Sequence, residues 1–286
     1  MKKNILWLAM IAMTLNSCMV TAESIKPSKN YVTKRVQVDK FDGIAAATSI
    51  DVAYTQTASE QSVEIYAPDN LVDYVKVAVE DGMLKVKFYN PENPTSGVSI
   101  TGRHETEVRV SAPSVHAFRA SSSGDIILKN GLQTTGLVSM KSSSSGDIEG
   151  GDVVCDELLA MASSSGDVSL NKVECTALEA KASSSGDIGI EYLRAEKVDA
   201  EASSSGDVIL AGECRTAQLS ASSSGDVEAK GLKANEVVAR ASSAGDVTCY
   251  VMESLTASTS SSGNVNYKGN PKHIDYHPKK GLNKID

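Results

Sequence analysis

The sequence predicts an all-β fold: a right-handed parallel β-helix, a solenoid of about 20-residue coils with an irregular β-rich N-terminal cap. Two observations carry that prediction. The phrase SSSGD occurs six times, at Ser121–Asp125, Ser143–Asp147, Ser163–Asp167, Ser183–Asp187, Ser203–Asp207 and Ser222–Asp226, then degrades to SSAGD (Ser242–Asp246) and SSSGN (Ser260–Asn264). Its glycines, Gly124, Gly146, Gly166, Gly186, Gly206, Gly225, Gly245 and Gly263, are spaced 22, 20, 20, 20, 19, 20 and 18 residues apart, and self-similarity at such a period marks a solenoid with one supersecondary unit per copy. Between the phrases, apolar residues alternate with polar ones at period two, the signature of strands. Helical repeats need about 33 residues or more, so a 20-residue copy is too short for a helix pair.

Counted from each glycine, position −8 reads His116, Val138, Leu158, Leu178, Val198, Ala217, Val237 and Leu255. Position −6 runs from Phe118 and Met140 through a series dominated by alanine, and −4 is alanine in six of eight copies. Position +2 is Ile or Val throughout, from Ile126 to Val265. Charge falls on the odd positions, as in Arg119, Lys141, Lys181, Glu201 and Arg240. Equivalent residues are therefore expected to stack into columns about 4.8 Å apart, the spacing of hydrogen-bonded strands. The usual chirality of parallel crossovers sets the expected right hand.

The chain divides in order. Residues 1–22 read as a signal peptide: Lys2 and Lys3, an apolar run from Ile5 to Leu15, then small residues. Leu15-Asn16-Ser17-Cys18 has the form of a lipobox, making Cys18 the expected lipidated residue. Val20-Thr21-Ala22 offers the competing cleavage site of a soluble exported protein. No other apolar run reaches spanning length, so the membrane is expected to be met only through a lipid anchor. Residues 23–36 read as a linker. Residues 37–112 lack the phrase but alternate as strands, with turn signals at Pro68-Asp69-Asn70, Asp81-Gly82 and residues 90–97. They form a β-rich N-terminal capping region of early coils and hairpins, since a solenoid must seal its open edges. Residues 113–267 carry the eight regular coils. Residues 268–286, rich in lysine and with Gly281 eighteen residues after Gly263, read as a degenerate last coil and C-terminal tail.

Composition restricts function. A folded core suits 41% hydrophobic and 22% charged residues over 286 positions. A formal charge of −8 and a pI near 5.1 argue against nucleic acid, which needs a basic face. Aromatics make up 5%, and the single tryptophan, Trp7, lies in the export segment, so the mature chain has no tryptophan for the aromatic platforms that sugar-active clefts usually need.

The phrase itself is the candidate site. If alternation runs through it, the middle serine (Ser164, Ser184) points inward and its neighbours face out. Gly is expected for backbone angles closed to other residues or for close approach at a bend, and Asp as a turn cap. Stacking Asp125, Asp147, Asp167, Asp187, Asp207, Asp226 and Asp246 sets like charges about 4.8 Å apart, costing roughly 1 kcal/mol per neighbour even in water. Hydrogen bonds, solvent or a cation must offset it. The turn-cap reading is preferred and no metal site is assigned; a Ca²⁺ column along these carboxylates is the alternative. The outward serines offer a regular hydroxyl array for a flat ligand such as a glycan.

Cys155, Cys175 and Cys214 share position −11 with Thr135, Ala195 and Ala234, and read as small apolar filling. Cys155 and Cys175 fall on adjacent coils, within disulfide range in an oxidising compartment. His104, His116, His273 and His277 show no ligand spacing beyond the isolated His273-x-x-x-His277 pair. No nucleophile elbow or phosphate-binding glycine loop appears. No catalytic residue and no cofactor are assigned.

The order of these pieces resembles the family "putative auto-transporter adhesin, head GIN domain" of secreted Bacteroidetes proteins. The resemblance rests on Phe41-Asp42-Gly43-Ile44, Ile50-Asp51-Val52, the run from Gln61 to Val86, Val108–Pro113, the SxSGD coils, and Tyr267-Lys268-Gly269-Asn270-Pro271, and covers roughly residues 36–275. It implies an exported, often lipid-anchored right-handed β-helix without catalytic residues. Together these readings describe a non-catalytic cell-envelope or surface protein presenting a Ser/Asp-lined face for adhesion or assembly, at the outer membrane or cell surface by lipid anchor, otherwise periplasmic or secreted. The expected partner is a surface glycan or protein of unknown identity. A cation- or glycan-binding module is the alternative, and a polysaccharide-active β-helix enzyme the weaker one.

Overall fold

The computed structural model describes residues 24–93, 97–277 and 280–286. The export segment, Cys18 and both cleavage sites lie outside them. Within the described residues the chain is a parallel β-helix with no α-helix; one 3₁₀ turn spans Val72–Tyr74.

The coil Val168–Ser183 shows the plan. Val168, Leu170, Val173, Leu178, Ala180 and Ala182 are buried, and Cys175 is half-buried. The alternation slips at residues 171–172 and again at 176–177, where two successive side chains face out. These slips are two corners; the serine turn is the third. Each coil thus has three sides, the middle one holding only Val173 to Cys175. Coils stack in register, with Val168 over Ile188, Leu178 over Val198 and Ala180 over Ala200, so one continuous core runs the length of the rod.

Departures from the 20-residue period are absorbed away from the serine turn. In the 22-residue copy the register advances from Leu128↔Gly150 to Leu132↔Val153 to Leu137↔Glu157, placing the two extra residues at the two plain corners. The 19-residue copy loses its residue between Ile190 and Leu193. There Gly212, at φ 123°, lies so close that a Cβ would sit 2.0 Å from the Leu193 carbonyl oxygen.

The serine turn departs from expectation. Each turn glycine donates its N–H to the carbonyl of the first serine, for example Gly186 to Ser183 at 3.1 Å. The positive φ falls on the serines: in the first four turns on both central residues, as Ser164 and Ser165 at φ 53° and 65° and Ser184 and Ser185 at 53° and 70°, the pair a type I′ turn requires, and in the last four on the first alone, Ser204, Ser223, Ser243 and Ser261. The turn interrupts the strand alternation. The middle serine, expected inward, is therefore exposed, as is the one after it. No inward column of hydroxyls forms. Two buried hydroxyls stand in the alanine column: Ser142 donates to the Gly166 carbonyl at 2.9 Å and Thr259 to the Lys280 carbonyl at 2.7 Å.

The turn glycine serves close approach. A Cβ on Gly186 would lie 2.4 Å from Ser163 N and 2.7 Å from Gly166 O, inside the backbone of the coil before it. An additional coil, Gly43–Ala46 and Asp51–Gln56, stacks beneath the first serine coil. In it Ile50 occupies the glycine place, fully buried, because no serine turn lies below it.

Chain order and stacking order differ at the N-terminal end. Met83–Phe88 and Glu107–Ala112 form a parallel rung under that additional coil. Val75–Glu80 pairs antiparallel with Met83–Phe88, while Ser62–Pro68 and then Tyr31–Val36 extend antiparallel from Glu107–Ala112. The change from parallel to antiparallel ends the solenoid. At the other end His273–His277 and Leu282–Lys284 add a final rung. Gly281, expected over Gly263, sits one place later: Leu282 pairs with Val265, and the Val265 N–H donates to the Gly281 carbonyl as the Val247 N–H does to Asn264.

Gly186→Ala is expected to destabilise the rod by about 1–3 kcal/mol, the cost of overpacking a rigid contact. Denaturant titration checks this, with Gly189→Ala, where a Cβ meets nothing within 4 Å, as the near-neutral control.

Candidate functional site: the serine–aspartate edge and a corner groove

The turns align along one edge of the rod, and the aspartates after them are joined by a hydrogen-bond ladder. The Asp147 N–H donates to Asp125 Oδ1 at 2.9 Å, Asp167 to Asp147, Asp187 to Asp167 and Asp207 to Asp187 each at 2.8 Å, Asp226 to Asp207 at 2.9 Å, and Asp246 to Asp226 at 2.8 Å. Asn264 ends the series, its N–H 2.8 Å and its amide nitrogen 3.0 Å from Asp246 Oδ1. Each aspartate carbonyl accepts from the coil before, as Ile148 N–H to Asp167 O at 2.9 Å. The backbone N–H of each coil thus finds its acceptor in a carboxylate, a bond strengthened by charge. This is what offsets the repulsion between stacked acids.

The ladder starts one coil earlier than the phrase does. Asp125 N–H donates to Asp51 Oδ1 at 3.2 Å. Asp51 follows Ala47-Thr48-Ser49-Ile50, which shares no phrase with the repeats, yet Thr48 and Ser49 have φ 60° and 58°. Its only sequence signal was the Ile50-Asp51-Val52 rhythm.

Burial raises the Asp51 carboxyl above its ordinary range. The Asp125 N–H works against that shift, and the charges of Asp125 and Glu107 add to it. Asp207 is raised in the same way, first by burial and then by Asp187 and Asp226 against the Asp226 N–H. Among the described residues no group of three or more His, Cys, Asp or Glu gathers as a metal cage; the aspartates form a line with one oxygen of each already committed.

The histidines lie apart. His116 Nε2 is 3.0 Å from Thr134 Oγ1, His104 Nδ1 is 3.0 Å from Thr106 Oγ1, and His273 and His277 are exposed on the last rung. Cys155, Cys175 and Cys214 stand at one corner, with Cys175 over Ala195 and Ala195 over Cys214. All four described cysteines are free thiols. Burial pushes the Cys155 thiol up to about 11 and those of Cys175 and Cys214 up to about 12, so they stay protonated and weakly nucleophilic.

A feature the sequence reading missed lies over that column. An open groove of about 740 Å³ lies there, with Cys175, Ala195 and Cys214 in its lining. Ion pairs between neighbouring coils line it, Arg194 Nε to Glu213 Oε1 at 3.1 Å and Arg215 Nε to Glu196 Oε2 at 3.4 Å. The spacing of Glu196, Glu213 and Arg215 held the signal, but only the corner slip makes them neighbours across a dip.

The model of the family described as "putative auto-transporter adhesin, head GIN domain" matches residues 40–172 and 162–271. The chain belongs to that family. Solved structures share its fold. A crystal structure from Parabacteroides distasonis, described as a "putative lipid binding protein", superposes with a TM-score of 0.68 at 21% identity, covering 92% of this chain and all of the other. A "putative adhesin" from Parabacteroides merdae gives 0.65 at 20%, covering 93% and 100%, and one from Bacteroides fragilis 0.50 at 24%, covering 91% and 97%. No curated protein matches the chain. The head GIN family and these neighbours are described as adhesins or a lipid-binding protein, not as enzymes. No helix among the described residues is long and apolar enough to cross a membrane.

Asp207→Ala is expected to cost about 1 kcal/mol by removing the acceptor of the Asp226 N–H. Asp207→Asn keeps an oxygen acceptor without the charge. Because the folded carboxyl is raised, its contribution is most favourable below its unfolded value near 3.8 and is lost as pH rises through the folded value. The Asn variant is therefore expected to melt above wild type at neutral pH, the gap closing as pH falls toward 3.8. Melting curves across that range check both.

Proposed function

We propose that this chain is a non-catalytic, adhesin-like rod of the cell envelope or surface, exported and held at the outer membrane by a lipid on Cys18. Its serine–aspartate edge is the face for adhesion or assembly, and the partner is a surface glycan or another surface protein. The observation that carries the reading is the repetition of one exposed turn. Two neighbouring residues, serines in all but Ala244, stand out from every coil at the same height on the corner, held by the aspartate ladder. Hydroxyls repeated about every 4.8 Å suit a partner that is itself periodic, and a rigid backbone limits the entropy lost on contact. Family membership supports the exported, adhesin-like role.

The corner groove supports a second reading, a glycan-binding module in which a chain lies along the rod between the ion pairs of Arg194 and Arg215. A cation bound along the aspartates is a third, tested by melting in millimolar Ca²⁺ against EDTA. It requires a rise in Tm with Ca²⁺, lost in Asp187→Asn/Asp207→Asn.

A screen of glycans and envelope proteins separates the first two readings. Binding without turnover is expected, weakened about tenfold or more, roughly 1.4 kcal/mol, by Ser184→Arg/Ser204→Arg/Ser223→Arg on the edge. Arg194→Glu/Arg215→Glu is expected to leave it unchanged. The reverse pattern assigns the site to the groove, and turnover of any glycan overturns the non-catalytic reading. Lipid attachment is checked by palmitate labelling that Cys18→Ala abolishes.

A further inference from the structure

The cysteine corner carries an inference independent of any ligand. Val154 is registered with Glu174, and the Cys155 N–H donates to the Glu174 carbonyl at 3.1 Å. Cys155 therefore stacks next to Cys175 on the following coil. Adjacent rungs lie about 4.8 Å apart, inside the Cα separation of roughly 4.4–6.8 Å that a disulfide spans. The other thiols are excluded by position. Ala195 separates Cys175 from Cys214 by a whole rung, placing them about 9.6 Å apart, beyond reach. Cys249 lies on a different wall, registered with Ala229 and Tyr267.

We propose that Cys155 and Cys175 are a selective oxidation site, closing a disulfide along the rod axis when the chain meets a disulfide-bearing oxidant. The two cysteines differ in access. Cys175 is half-buried on the floor of the groove, whereas Cys155 is 6% exposed. The Cys175 sulfur, as thiolate, attacks one sulfur of the oxidant, forming a mixed disulfide and releasing the other as a thiol. The Cys155 sulfur, giving up its proton, then displaces the remaining oxidant sulfur and forms the Cys155–Cys175 bond. Two electrons and two protons pass to the oxidant, which leaves as two thiols. Because burial holds both thiols protonated, the exchange is slow.

The source of oxidant in the cell rests on the exported reading; the geometry does not. The test treats the folded, purified chain with oxidised glutathione, then alkylates free thiols and maps the peptides without reduction. One cross-linked peptide pair is expected, holding Cys155 and Cys175, with Cys214 and Cys249 alkylated. Cys155→Ser and Cys175→Ser each abolish it; Cys214→Ser and Cys249→Ser do not. The bridged form is expected to melt several degrees higher, reversed by dithiothreitol. Four free thiols after prolonged oxidation, or a bridge involving Cys214 or Cys249 in the folded chain, overturns the proposal. Chain recovered from the cell envelope is expected to carry the same bridge. Free thiols there, with the bridge forming in vitro, uphold the site and count against an oxidising exported location.

Discussion

The structure depends on backbone-to-backbone contact at one corner of every coil. Strands stack at a fixed spacing, so the tightest turn must lie on the turn below with no side chain between them. Gly186 against Ser163 and Gly166 is the pattern, and it repeats at each serine coil. Ile50 marks its limit, taking the glycine place only where the stack below has no such turn. The other two corners have no such restriction, and there the chain gains or loses residues without disturbing the columns.

That same corner creates an electrostatic difficulty and resolves it. The tight turn leaves the aspartate N–H without a backbone acceptor in the previous coil. The aspartate of that coil fills the gap through Oδ1. A column of acids is unfavourable by Coulomb's law alone, but each carboxylate receives a donor from its successor, and its outer side meets solvent. At Asp51 and Asp207 burial does most to raise the carboxyl, and the neighbouring acids add to it against the donated N–H. The walls add exposed ion pairs such as Lys172–Glu174 and Lys181–Glu179, which solvent screens. The buried columns supply most of the cohesion.

Much of this was legible in the sequence because a solenoid writes its geometry as a period. Gly spacing and alternation located the coils, the inward columns and the shared column of Cys155, Cys175 and Cys214. What was illegible lay where the period-two rule stops. Ser164 and Ser184 were placed inward because alternation was carried through a turn that two left-handed residues interrupt. Asp51 was missed because its turn, Ala47 to Ile50, reaches the same conformation with other residues. Gly281 was matched by its identity to Gly263, yet pairing of Leu282 with Val265 sets it beside Asn264. The groove was hidden because a three-residue side exists only once two corner slips are placed.

The aspartate ladder has a direction. Each carboxylate waits for a donor that comes later in the chain, so an N-terminal coil presents its acceptors before the next coil exists. A rod assembled in the order of its emergence, one rung closing on the last, holds at its growing tip a hydrated aspartate carboxylate beside an amide proton, as of Ile148, whose acceptor is the Asp167 carbonyl of the coil to come. Along this ladder, loss of a rung from the carboxyl end bares a carboxylate, whereas loss from the amino end bares an aspartate N–H. The ladder itself is polar, its carboxylates turned toward the carboxyl end and its donors toward the amino end.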